Sequence, residues 1–336
     1  MPCSVAGVYE ESRAEVEAAW ALVEAHIGAL PPALAALGRR HLAAIGRGEP
    51  THRGYFSGPL APPLLYLPLW LAARFRREGR AAGDDPALHR ILAAAMLGYF
   101  YIRIQDDVID GARDADRALA LYGNAALGEM LAQLRAAVGD APDFWDAARR
   151  AWLDFSARTA EEHAQLRSDA PYPEALFVAH ADKVAFARVP ALAACALAGR
   201  MNLAGDVAAL VHRLGVATGL VNDAIGWPRD LKTGQRTYLL ARAGISQAQL
   251  AAPTDAVEEA ARAALYDRSL LHDLLAEARA AWRKAGQFGA AIMGLPELRR
   301  LADERVHWLD GHDEQIALVR LQRALAATVP GSSVVP

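Results

Sequence analysis

Apolar residues recur three and four positions apart along nearly the whole chain, and the apolar/polar alternation of a half-buried strand is hard to find. A chain patterned this way must bury helical stripes against one another, so the expected class is all-α. Ala, Leu, Arg and Glu, which dominate it, are also strong helix formers. Proline and glycine interrupt the pattern at Leu30-Pro31-Pro32, Gly46 to Pro59, Gly79 to Pro86, Gly139 to Pro142, Asp169 to Pro173, Gly199 to Gly205, Ala252-Pro253 and Gly294 to Pro296. These breaks delimit about nine helices or more. With 336 residues, 53% of them apolar, the chain can bury a large core. The expected layout is one all-α domain over residues 1–328 and a disordered tail over 329–336.

Several classes of protein are disfavoured. The formal net charge is −3 and no stretch gathers Lys and Arg, so the electrostatic footprint of a nucleic-acid binder is missing. Cys3 and Cys195 cannot build a disulfide framework or a Cys/His metal site, which fits a reducing, cytoplasmic setting. Met1 to Trp20 carries Glu10, Glu11, Glu15 and Glu17 and does not read as a secretory signal. The apolar run from Pro62 to Ala73 contains Pro68 and is followed by Arg74, Arg76 and Arg77. It falls short of the roughly 20 residues that cross a bilayer, so a buried core helix is expected and stable membrane insertion is not.

Two windows carry the chemistry. Ala87 to Asp110 follows the start signals Asp84, Asp85 and Pro86 and has no internal proline, which predicts one helix of roughly 36 Å at 1.5 Å per residue. A second helix is expected from about Leu203 to Trp227, where Pro228 should kink or end it. The nine residues from Asp106 read Asp-Asp-Val-Ile-Asp-Gly-Ala-Arg-Asp; those from Asn222, 116 positions on, read Asn-Asp-Ala-Ile-Gly-Trp-Pro-Arg-Asp. Four of the nine positions are identical, and Asp114 matches Asp230. Residues four apart share a helix face, so Asp106 and Asp110 point one way and Asp107 is rotated roughly 100° from them. Paired carboxylates that would otherwise repel are relieved by Mg²⁺ and the phosphate oxygens of a substrate. Each window ends an apolar helix instead of decorating a polar one.

The first window matches the DDxxD motif of the class I isoprenoid synthases, the superfamily of terpene cyclases, prenyl diphosphate synthases and squalene or phytoene synthases. The second resembles the NDxx(S/T)xx(K/R)E metal motif of terpene synthases, with Gly226 in place of the Ser and Asp230 in place of the Glu. The resemblance implies a helical bundle with a central cavity. It also implies three Mg²⁺ ions, or Mn²⁺ in their place, held by Asp106, Asp107, Asp110, Asn222 and Asp230, with Asp114 a further candidate. A prenyl diphosphate is the implied substrate. Lys183 resembles the Lys of the KTxxLF segment of elongating synthases, and Arg229, Lys232, Arg236 and Tyr238 form a cluster able to close over a diphosphate around the turn at Gly234. Tyr99, Ile102 and Arg103, one and two turns before Asp106, are expected to line the pocket together with Phe186 and Gly219.

No HExxH, phosphate-binding glycine loop or nucleophile elbow is present, and Glu161-Glu162-His163 reads as an exposed helix face. Within the superfamily, elongating synthases bind isopentenyl diphosphate through a GKxxR segment and an Arg-Arg-Gly just after DDxxD. Here Arg53 to Leu65 lacks the basic set, and Arg113 and Arg117 stand apart. The first expectation is therefore a terpene synthase that ionises one allylic diphosphate and cyclises or eliminates. A prenyl transferase that elongates or couples chains is the second reading, and a non-catalytic helical partner subunit the third. A homodimer is compatible with each.

Overall fold

The computed structural model describes residues 11–45, 65–79, 85–109 and 117–328, and every regular element among them is helical. In chain order they are α1 (Arg13–Ala29), α2 (Pro32–Ile45), α3 (Leu67–Arg77), α4 (Asp85–Ile109), α5 (Leu119–Val138), α6 (Pro142–Gln165), α7 (Glu174–His180) and α8 (Arg188–Leu197). Then follow α9 (Ala204–Thr233), α10 (Tyr238–Arg242), α11 (Gln247–Ala251), α12 (Asp255–Arg262), α13 (Leu270–Ala291) and α14 (Pro296–Thr328). A 3-10 segment, Ala181–Ala187, joins α7 to α8, and a π turn, Ala263–Asp267, extends α12.

Local chemistry accounts for many of the ends. Gly139 closes α5 at φ 64°, where its N–H donates to the Arg135 carbonyl, and Pro142 opens α6 without a wasted donor. Ser246 and Gln249 form a reciprocal capping box at α11. The second window's helix differs from expectation: α9 runs through Pro228 to Thr233. Proline removes one N–H, which costs the Ala224 carbonyl its helical partner, but Trp227, Asp230 and Leu231 around it are all buried and hold the turn in place. The break expected between Gly46 and Pro59 and the tail from 329 lie outside the described residues, as do Asp110, Arg113 and Asp114.

The chain divides into two compact units. The first comprises residues 1–155, 184–211 and 290–297. Its centre is α4, which packs along α5 and also meets α1, α3 and α8. Ile91, Leu92, Ala93, Ala94, Met96, Leu97 and Phe100 bury nearly every face of this helix, so it behaves as a core element and not as an amphipathic one. A Cβ at Gly98 would stand 2.8 Å from the Met130 sulfur and one at Gly38 2.7 Å from the Tyr122 ring, so these glycines set how closely their helices approach. Pro86–Ile109 and Met201–Thr233 are long and apolar enough to cross a membrane by length and composition, but α4 is mostly buried inside its unit. The part of the Pro62–Ala73 run that is described does form a core helix, with Trp70, Leu71 and Phe75 of α3 buried.

The second unit comprises residues 156–183, 212–289 and 298–336. In it α13 and α14 touch through Gly286 and Gly289, where added Cβ atoms would stand 2.6 Å from Ala302 Cβ and 2.5 Å from Leu298 Cδ1. The later part of α9 carries Arg213, whose guanidinium lies 4.3 Å over the Phe288 ring of α13. The first unit therefore holds the first acidic window and the second unit the second.

Candidate functional site

The acidic run terminates the core helix α4. Ile102, one turn before Asp106, is 5% exposed and packs with Phe155 and Ala185, and Tyr101, Trp152 and Phe186 close around them. Tyr101 meets Trp152 edge-on at 5.9 Å, Trp152 meets Phe155 at 5.6 Å, and Phe155 meets Phe186 at 5.6 Å. Ile102 and Phe186, both expected pocket residues, are thus brought into one aromatic cluster. Tyr99 is half-buried, whereas Phe100 is core, edge-on to Trp20 and His41.

Arg103 was expected beneath the carboxylates, and its guanidinium reaches up to them. Nη1 donates to Asp106 Oδ2 at 3.1 Å, and Nη2 lies 3.5 Å from Asp107 Oδ1. The i, i+3 and i, i+4 spacings allow one side chain to serve both acids, so Asp107 is less separated from Asp106 than the 100° rotation suggests. Both carboxylates remain about two-fifths exposed. His41 lies behind this end of the helix; burial first, then the Arg103 charge, depress its pKa to about 4.

In the second window Asn222 is exposed, and Asp223 turns inward, its Oδ2 accepting the Leu239 N–H at 3.1 Å at the start of α10. Burial pushes the Asp223 carboxyl up to about 7, against the opposing pull of that N–H and of the Lys183 charge. Asp230 is 2% exposed, and its Oδ1 accepts from Arg229 Nε at 3.1 Å and Nη2 at 2.9 Å. Lys183 Nζ donates to both oxygens of Glu162, at 2.7 and 2.8 Å. Arg236 is committed to the backbone: Nε donates to the Ile245 carbonyl and Nη1 to those of Ser168 and Ala170. That arrangement braces the turn after α6 and leaves Lys232, which is exposed, freer to move than Arg236. Tyr238 stacks on Phe177 at 4.7 Å and receives Arg242 over its ring at 5.3 Å. Phe177, Val216, Leu220 and Tyr238 line a cavity of about 430 Å³ bordered by Glu277 and Lys284. Gly219 lies behind Phe177, since a Cβ there would stand 3.1 Å from the ring.

Two residues central to this arrangement were not singled out from sequence. Glu162 reads as part of an exposed face, yet its side chain is only 14% exposed because it holds Lys183. Asp223 sits inside the second window and works toward α10. Neither has a signal in helical spacing, since Glu162 and Lys183 are 21 residues apart and Asp223 and Leu239 are 16 apart.

The donor chemistry separates the windows. Asp106 and Asp107 are adjacent, hard-oxygen and half-exposed, which suits Mg²⁺, and Asp110 follows them in sequence. In the second window Asp230 is held by Arg229, Asp223 by a backbone N–H, and Asn222 faces out. Among the described residues no three His, Cys, Asp or Glu side chains converge tightly enough to hold a metal.

No protein-family model and no curated protein matches the chain. Solved structures do. A decaprenyl diphosphate synthase from Rhodobacter capsulatus is similar at 16% identity and a TM-score of 0.66, covering 90% of this chain and 97% of that one. A geranylgeranyl pyrophosphate synthetase from the archaeon Geoglobus acetivorans gives 15% identity and a TM-score of 0.67, covering 90% and 98%. A polyprenyl synthase from Caulobacter crescentus CB15, complexed with calcium and isoprenyl diphosphate, gives 18% and 0.56, covering 87% and 97%. The chain thus has an all-α fold of the isoprenoid-synthase type.

Proposed function

We propose that this chain is a Mg²⁺-dependent enzyme acting on an allylic prenyl diphosphate, and that it is a prenyl transferase. One observation carries the reading: an Asp-rich run ends the core helix α4 in a chain whose fold resembles prenyl diphosphate synthases over 90% of its length. Asp106, Asp107 and Asp110 would hold the metal, which when bound supplies Lewis-acid neutralisation of the diphosphate leaving group. Arg103 would then give up carboxylates that it now neutralises. Within the second unit, Lys183, Arg229 and Lys232 would supply positive charge suited to phosphate oxygens. The cluster of Tyr101, Trp152, Phe155 and Phe186 offers π faces and an apolar wall beside Ile102, suited to keeping water from a carbocation.

A cyclase remains the second reading, favoured by the missing basic pair after the Asp-rich run. An allylic diphosphate with Mg²⁺, incubated with and without labelled isopentenyl diphosphate, separates the two. Transfer predicts label in a longer diphosphate. Unlabelled hydrocarbon in both incubations would overturn transfer in favour of cyclisation. Binding of metal and diphosphate without turnover would point to a partner subunit.

A further inference from the structure

We propose that the cavity between α7, α9 and α13 binds a small molecule with an apolar body and one anionic head group, on a face of α9 other than the one carrying the second window. The proposal goes beyond the function above and does not depend on it.

Helical spacing builds this cavity wholly within the second unit. Arg213, Val216 and Leu220 of α9 stand three and four positions apart, and Glu277, Ala280, Ala281 and Lys284 of α13 keep the same spacing. Glu174, Phe177 and Val178 of α7 do likewise, so each helix turns one stripe toward a shared space. At about 100° per residue, the α9 stripe is rotated roughly 110° from the stripe of Asn222, Gly226 and Asp230. The cavity is therefore not the space that the second window faces. Two alanines on α13 keep it open, and Phe177, Val178, Val216 and Leu220 give it apolar walls. Its volume of about 430 Å³ falls in the range of small-molecule sites.

The two ends differ in charge. Phe288 lies 4.3 Å under the Arg213 guanidinium and Lys284 is one turn before Phe288, so two cations stand at one end. At the other end Gly219 backs Phe177, Phe177 stacks on Tyr238, and Glu277 and Glu174 lie near the Tyr238 hydroxyl. Burial first raises the pKa of that hydroxyl; Arg242 opposes the rise, and the two glutamates add to it.

The acidic end already holds a cation. Arg242 lies 5.3 Å over the Tyr238 ring and donates to Glu277 at 2.8 Å, so a cationic ligand would have to displace a group of the chain itself. The basic end has no such occupant in the cavity. His212 on its rim is paired with Asp182 at 3.1 Å, whereas Lys284 is exposed and makes no hydrogen bond or ion pair among the described residues. Arg213 is half-buried against Phe288, which orients its planar donors. An anionic head at Lys284 and Arg213, with an apolar body along Val216, Ala281 and Phe177, matches both the charge and the walls.

Calorimetric titration of the full chain with dilute dodecanoate tests the site. One dodecanoate or dodecyl phosphate should bind per chain, the tighter of the two naming the head group, and dodecanol and dodecyltrimethylammonium should bind at least about tenfold more weakly. Lys284→Glu should cost dodecanoate about tenfold, and Lys284→Arg should keep its affinity. Ala281→Trp should fill the cavity and abolish binding, with the thermal midpoint checking that the variant folds. Mg²⁺ and inorganic diphosphate, added together, should leave the dodecanoate affinity unchanged. No binding to the parent, equal affinity for charged and uncharged heads, unchanged affinity in Lys284→Glu, or competition by Mg²⁺ and diphosphate overturns the proposal. None of these titrations reads turnover, so their failure leaves the function proposed above untouched, and loss of that function leaves this site standing.

Discussion

Two single side chains give measurable consequences, Lys183 through the carboxylate that holds it and His41 through its burial. Lys183 is held by both oxygens of Glu162 and would exchange that carboxylate for phosphate oxygens. Lys183→Gln should weaken inorganic diphosphate binding about tenfold, roughly 1.4 kcal/mol, in calorimetric titration with Mg²⁺ present; unchanged affinity would remove Lys183 from the site. His41 is depressed to about 4 from an ordinary 6.5, so it is neutral in the fold while the unfolded chain takes up a proton below about 6.5. Its contribution is fully present above pH 6.5 and is lost as pH falls toward 4, amounting to about 3 kcal/mol at the acid end. Denaturant midpoints at pH 7.5 and 4.5 should show that slope in the parent and a flatter one in His41→Leu.

Among the elements, glycines set the tightest approaches. At Gly286 an added methyl would meet Ala302 Cβ at 2.6 Å and the Leu298 carbonyl oxygen at 3.2 Å, with backbone on one side and no flexible end to yield. Gly286→Ala should therefore cost about 1–3 kcal/mol, read as a lowered thermal midpoint, despite alanine's better helix propensity. The same close reading shows what was legible beforehand. Proline and glycine at Pro32, Gly139, Pro142 and Pro296 marked helix ends correctly because they act through local backbone geometry. Pro228 misled because the burial of Trp227, Asp230 and Leu231 is a tertiary effect that outweighs one missing donor. The position of Asp106 at the end of α4 was readable from periodicity. The Glu162–Lys183 pair, joining α6 to a 3-10 segment, was not, since no period links residues so far apart.

At the scale of the molecule, the described residues form two units stitched from interleaved segments, an arrangement that no composition shift along the chain announces. Arg103 pairs with the acidic run and Glu162 with Lys183, so under the function proposed above metal and diphosphate would each meet an internal competitor. The expected result is strong mutual dependence: Mg²⁺ alone or inorganic diphosphate alone should shift the thermal midpoint little, and the two together substantially. At a hundred times the dissociation constant the stabilisation would be about 2.7 kcal/mol. Equal shifts with either ligand alone would show that the internal pairs do not compete.

The aromatic cluster next to the acidic run also has an optical consequence. Trp152 lies edge-on between Tyr101 and Phe155, and the Tyr101 hydroxyl accepts a hydrogen bond from Gln105, the neighbour of Asp106. Any rearrangement at the carboxylates is therefore one hydrogen bond and one ring contact away from an indole. Trp152 would therefore serve as a built-in fluorophore: if the acidic run binds metal as proposed, emission and near-ultraviolet dichroism should change on its addition, with Trp152→Phe as the blank that isolates this signal from those of the other tryptophans.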